Sequence, residues 1–163
     1  MTETNWLTAE QEDAWRSLMT VLMVLPGALD AQLQRDAELT HAGYAVMSAL
    51  SEAPERTIRM RRLAAMANMS VSRLSHLLDR LSDRGWVERR PDPTDGRSTM
   101  AVLTDAGWDK VVATAPGHVD NVRSLVFEGL TAEQITQLKQ ISATISGRLD
   151  PERKLGAVGT VRR

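Results

Sequence analysis

Ser70, Ser72, Arg73, Ser75, His76 and Arg80 come from one short stretch, SVSRLSHLLDRLSDRG, in which Leu74, Leu77, Leu78 and Leu81 form an apolar stripe at helical spacing. A helix here buries the leucines and leaves two guanidiniums, an imidazole and small hydroxyls on the other side. Arg73 and His76, three residues apart, can enter one groove together. The serines leave room for close approach to a base or a phosphate, although each also suits an ordinary exposed helix position. Further on, RPDPTDGRSTMAVLT offers two short apolar segments joined by a polar tip with Asp95, Gly96 and Arg97. A helix that can read base edges, followed by a hairpin with a basic tip, is what a winged helix needs to hold the major and minor grooves of DNA together.

The remaining elements must position that pair. Ser70 is a good N-cap for the reading helix, Gly85 a good residue just past its end, and Asn68 suits the left-handed turn before it. The predicted wing strands are Trp86-Val87 and Met100 to Leu103, with a tight turn at Asp95-Gly96, where both residues tolerate positive φ. A short helix near Arg61 to Ala67 buries Leu63 and Met66, and another from about Thr40 to Ala53 carries Tyr44, Met47 and Leu50. Upstream, Thr8 and Gln11 form a capping-box pattern before a long helix with Trp15, Leu18, Leu22, Leu29 and Leu33. Pro26-Gly27 is expected to kink or split it. Thr104 caps another long helix, expected to break or bend at Pro116-Gly117 and to end at Gly129. Thr131 and Gln134 open a last helix with Ile135, Leu138, Ile141, Ile145 and Leu149 on one stripe.

The predicted fold is therefore mainly α with a small two- to three-stranded β wing, one domain over residues 1–163. Residues 39–103 form the winged helix-turn-helix lobe and 150–163 a mobile tail. Residues 8–37 and 104–149 are long helices whose apolar stripes are poorly served by a monomer and suit dimerisation between two copies.

Charge is segregated to match. From Arg56 to Arg97 there are ten basic residues, all Arg, against five acids, whereas the rest of the chain carries ten basic and 16 acidic residues. A basic lobe on an acidic body is the footprint of a nucleic-acid-facing surface. The absence of Cys excludes disulfides and thiolate metal sites. His41, His76 and His118 lack metal-ligand spacing, so no metal and no cofactor is expected. No apolar run is long enough for a membrane span, and the acidic N-terminus lacks a signal-peptide pattern, so a cytoplasmic location is expected. Phosphate loops, nucleophile elbows and catalytic carboxylate or His/Asp constellations are missing, so no enzyme is expected.

The stretches LTHAGYAVMSAL, MRRLAAMANMSVSRLSHLLDRLSDRGWVERR, DPTDGRS and VLTDAGW, from Leu39 to Trp108, resemble in this order the MarR family of bacterial transcriptional regulators. The resemblance implies a homodimer on double-stranded DNA at a palindromic operator, most simply as a repressor. It also implies control by a small aromatic or anionic ligand bound between the helical arms and the winged lobe. Arg97 then contacts DNA from the wing and Asp95 holds it in shape. Arg59, Arg61 and Arg62 are phosphate contacts or surface ion-pair partners. Trp15, His41 and Tyr44 are candidates for the ligand pocket wall, with core or interface packing as the plainer alternative. Three departures stand out: Gly96 for the first Arg of the wing's usual D-R-R, His76 where Arg is frequent, and Trp86 where Leu is common. The competing function is a winged helix that binds a protein without a specific DNA target, which would not need an Arg-lined reading face.

Overall fold

Five helices begin at the hydroxyl residues that cap them. Thr8, Thr40, Ser70, Thr104 and Thr131 each accept a hydrogen bond from the backbone N–H three residues on, at 2.9 to 3.2 Å. At Thr8 and Thr131 the glutamine at that third position returns the bond to the cap's own N–H. The structure, a computed structural model, describes residues 4–152. The predicted mobile tail lies almost entirely outside the described residues.

The elements run α1 (Ala9–Ala37), α2 (His41–Ser51), β1 (Thr57–Arg59), α3 (Met60–Met66), α4 (Val71–Asp83), β2 (Val87–Asp92), β3 (Asp95–Leu103), α5 (Asp105–Val122) and α6 (Ala132–Leu149), with one π turn, Arg123–Phe127, after α5. The mainly α fold with a β wing is as the sequence indicated. The sheet is antiparallel in the order β1-β3-β2, so the wing hairpin gains a third strand. Asn68 (φ 50°) and Gly85 (φ 72°) hold the left-handed turns on either side of α4. The Asn68 turn joins α3 to α4, the second helix of a helix-turn-helix, and the Gly85 turn leads from α4 into β2.

One expectation needs correction, and two are narrowed to a kink or bend without a break. The wing turn falls on Pro93-Thr94 instead of Asp95-Gly96, both of which lie in β3 without positive φ. Asp92 decides this: its Oδ1 accepts from Thr94 N and Thr94 Oγ1, both at 2.8 Å, and Pro93 is preset for the first turn position. Pro26 does not split α1, which continues as one helix from Ala9 to Ala37, and α5 likewise runs through Pro116. Each proline removes one bond to the carbonyl four residues back. Those carbonyls belong to Leu22 and Val112, both exposed, so water can take them.

The core sits in the lobe and at the inner ends of α1 and α5. Tyr44, Met47 and Leu50 of α2 pack with Leu33, Leu63, Leu74, Leu78, Leu103 and Val111, all nearly or fully buried. Each buried Leu of this kind is worth about 1.5–3 kcal/mol over an exposed one. The outer half of α1 and the whole of α6 bury nothing within the protomer: Leu22, Met23, Ile135, Leu138, Ile141 and Ile145 stay exposed.

Candidate nucleic-acid interface

Helix α4 turns its four leucines inward, none more than 5% exposed, and leaves Ser72, Arg73, His76 and Arg80 in solvent. At about 100° per residue these four fall within an arc of about 100°, opposite the leucines. Ser75 is half-buried at the edge of that arc, and Ser70 spends its oxygen on the cap. Beside this face lies an open groove of about 1160 Å³, walled by Val71 and Ser75 of α4, Arg61 and Arg62 of α3, and Arg97 and Ser98 of the wing.

The ten arginines of the lobe divide evenly. Arg56, Arg59, Arg84, Arg89 and Arg90 form ion pairs with Asp105, Asp92, Glu38, Asp79 and Glu88. Among the described residues, Arg61, Arg62, Arg73, Arg80 and Arg97 form none, although acids are plentiful in the chain. These five rise from α3, α4 and the wing around one groove and recognition-helix face. Uncommitted guanidiniums concentrated on one surface favour a polyanionic partner.

Arg59, expected as a phosphate contact or a surface ion-pair partner, stays more than half exposed and forms an ion pair. Its Nε donates to Asp92 Oδ2 at 2.6 Å and its Nη2 to Thr94 Oγ1 at 2.9 Å. The Asp92 carboxyl is buried and lies below the usual carboxylate range, chiefly through its bonds from Thr94 and also through Arg59. Asp95 acts on backbone shape: it accepts from Arg97 N at 3.1 Å and Ser98 Oγ at 2.7 Å, and these bonds lower its pKa too. Asp95 therefore shapes the backbone that carries Arg97.

Two contributors escaped the sequence reading. Asp92 and Arg89 entered only as two of the charged residues between Arg56 and Arg97. Arg89 Nη2 donates to the Ser75 carbonyl at 2.6 Å and to Asp79 Oδ1 at 2.8 Å, fastening β2 to α4. Strand alternation was the available signal, because Arg89 shares the face of buried Val87. Trp86 is half-buried at the junction, with Arg84 at 5.4 Å and Lys110 at 5.2 Å from its ring.

Of the predicted ligand-pocket residues, two meet. Tyr44 is fully buried with its ring 4.7 Å from that of His118 on α5, and His41 lies 6.1 Å from His118. Burial lowers the His41 pKa, against a weaker opposing pull from Asp30, and raises that of Tyr44. Asp30 Oδ1 accepts from His41 N at 2.7 Å, so this cluster joins α1, α2 and α5. Trp15 does not join it. It is exposed, 15 residues before Asp30 in the same helix, hence about 22 Å away along the axis at 1.5 Å per residue. His118 was missed because nothing local in α5 marks it.

A three-helix lobe with an antiparallel hairpin, an exposed polar face on its third helix and a basic wing define a winged helix-turn-helix protein. The sequence profile of the MarR family matches residues 38–98. Sco3205 from Streptomyces coelicolor, described as a MarR family transcriptional regulator in complex with DNA, is 45% identical. It has a TM-score of 0.85, with 92% of this chain and 97% of that one covered. AbsC, another such regulator from the same organism, is 34% identical with a TM-score of 0.84, covering 91% and 99%. The transcriptional regulator HosA of Escherichia coli O111:H- is 33% identical over 60% of this chain and 70% of its own length. The chain belongs to the MarR family of transcriptional regulators, which are not enzymes. It spans 50 to 65% of the length of several other curated relatives. No helix among the described residues is long and apolar enough to cross a membrane.

Proposed function

We propose that this chain works as a homodimer that binds double-stranded DNA at a palindromic operator and represses transcription until a small molecule releases it. The five unpaired arginines around α4 and the wing carry the DNA reading. Sco3205 in complex with DNA supports it at 45% identity. In this arrangement α4 enters the major groove, with Arg73, His76 and Arg80 toward base edges and Ser72 and Ser75 allowing close approach. Arg62 and Arg61 face phosphates and Arg97 reaches the minor groove.

The dimer is favoured by the apolar surface that the protomer leaves open on α1 and α6. Residues 8–37 and 104–149 serve as its arms and 39–103 as the DNA lobe, within a single MarR-type domain over 1–163. Two-fold docking puts half-site centres about 10 base pairs apart. A cytoplasmic location goes with this work.

The ligand reading is supported by the polar cluster of His41, Tyr44 and His118 where the arms meet the lobe. CouR from Rhodococcus jostii RHA1, 25% identical with a TM-score of 0.72, is bound to p-coumaroyl-CoA. An aromatic or anionic ligand at the cluster would shift DNA affinity by preferring one spacing of the two lobes. Trp15 can contribute only across the dimer. The test is selection from random duplexes by the full chain, followed by a release screen with aromatic acids. A palindrome with one-turn spacing is expected. Sequence-indifferent binding, or none at moderate salt, refutes the operator reading and leaves a protein-binding winged helix.

A further inference from the structure

The wing is a two-stranded ribbon beyond Met100, because β1 ends at Arg59, which lies opposite Met100 on β3. Such ribbons are marginal by themselves in water. This one is weakened further by an irregular register at Pro91/Asp92 and by the missing N–H of Pro91. Gly96 brings no side chain to the tip, so nothing at that position anchors it. The tether comes from the helical body. Arg59, the last residue of β1 and the one before α3, reaches past β3 to Asp92 on β2 and to Thr94 in the turn. Asp92 is only 4% exposed and also accepts both bonds that shape the turn. A buried carboxylate holding three donors is a firm anchor for a guanidinium whose bonds run to two neighbouring acceptors.

We propose that Arg59 is a positioning residue for DNA binding: by bridging Asp92 and Thr94 it ties the wing tip to the α3 end of the lobe and aims Arg97 at the DNA. The proposal rests on the reading that the wing engages DNA. It reverses the usual expectation for charges on a DNA-binding face. Removing Asp92 deletes a negative charge there, which by long-range electrostatics should tighten DNA binding. With the tether in place, it must weaken binding instead. The contribution of Arg59 likewise depends on Asp92, whereas a phosphate contact would act independently of it.

The test measures affinity of the full-length chain for one labelled mixed-sequence duplex across a salt series. It compares Arg97→Ala, Arg59→Ala, Asp92→Ala, the pair Arg59→Ala/Asp92→Ala, and Asp92→Ala/Arg97→Ala. Arg97→Ala should weaken binding about 5- to 150-fold, the range of one good contact. Arg59→Ala and Asp92→Ala should each weaken it in the same direction, and the Arg59/Asp92 pair should be within about twofold of the worse single change, as for coupled residues. Adding Arg97→Ala to Asp92→Ala should cost less than Arg97→Ala costs alone. Trypsin should cut after Arg97 faster in both tether variants. Thr94→Val, which alters no charge, makes the same comparison should Asp92→Ala fail to fold. Tighter or unchanged binding by Asp92→Ala or its Thr94→Val substitute, or additive losses for Arg59 and Asp92, overturns the tether while Arg97→Ala still weakens binding. Wild-type affinity in Arg97→Ala instead removes the wing reading itself, and the tether with it.

Discussion

Gly107 sits in the first turn of α5, where that helix meets the base of the wing. A Cβ there would lie 2.1 Å from the Trp86 carbonyl oxygen and 2.7 Å from Leu103 Cδ1. The nearer atom is backbone, so about 1.3 Å of movement is needed to restore an ordinary contact of about 3.4 Å. That carbonyl is already in use, accepting from Thr104 N at 3.1 Å, and Thr104 Oγ1 accepts from Gly107 N at 3.0 Å. Gly107→Ala should therefore carry an overpacking cost of about 1–3 kcal/mol and weaken a hydrogen bond worth about 0.5–1.5 kcal/mol. The helical preference for Ala returns about 0.5–1 kcal/mol. The net loss is about 0.5–4 kcal/mol, or a fall in Tm of roughly 1–16 °C at 2–4 °C per kcal/mol for a chain of this size. Gly27→Ala is the matched control. Gly27 lies mid-helix in α1 with nothing within 4 Å of its added Cβ, so the same substitution should stabilise by about 0.5–1 kcal/mol in the protomer. Urea titrations followed by circular dichroism, at one protein concentration, read both. A Gly107→Ala chain as stable as wild type would refute the reasoning, because it would mean that α5 can lift off Trp86 at no cost.

Ile141→Asp, at an exposed position of α6, should leave the helical signal intact and weaken dimerisation at least tenfold, since an unpaired charge cannot be buried cheaply. Sedimentation at micromolar concentration reads this, and an unchanged dimer would place the interface elsewhere. The lowered pKa of His41 means that the unfolded chain binds more protons just below pH 6.5. Its contribution to stability is complete above that value and declines as pH falls through it, so His41→Gln should flatten the urea midpoint between pH 7 and pH 5. For Asp92, also lowered, stability is held above about pH 4 and lost on further acidification. Asp92→Asn should therefore shed part of the acid slope between pH 5 and pH 3, and an identical slope would show that the carboxylate bonds add no stability.

The ends of the helices and the reading face of α4 were determined by the sequence alone, because the forces involved act within one turn. A hydroxyl three residues before an N–H caps a helix wherever that helix packs, and a leucine stripe at helical spacing has only one face to bury. Asn68 and Gly85 could be assigned for the same reason, as few residue types accept positive φ. The family resemblance was equally visible, since it rests on the order of such local signals. Which of ten arginines remain available for DNA was decided by the tertiary structure. Arg56, Arg59 and Arg84 find acids 49, 33 and 46 residues away, and Arg89 finds Asp79 and the Ser75 carbonyl across the junction of β2 with α4. The wing turn moved to Pro93-Thr94 because Asp92 holds both bonds within the turn and a guanidinium from β1. His118 joined Tyr44 and His41, while Trp15 was left far up the arm. An ion pair or ring contact depends on which elements the core packing brings within about 4–6 Å of each other, and distance along the chain carries none of that information.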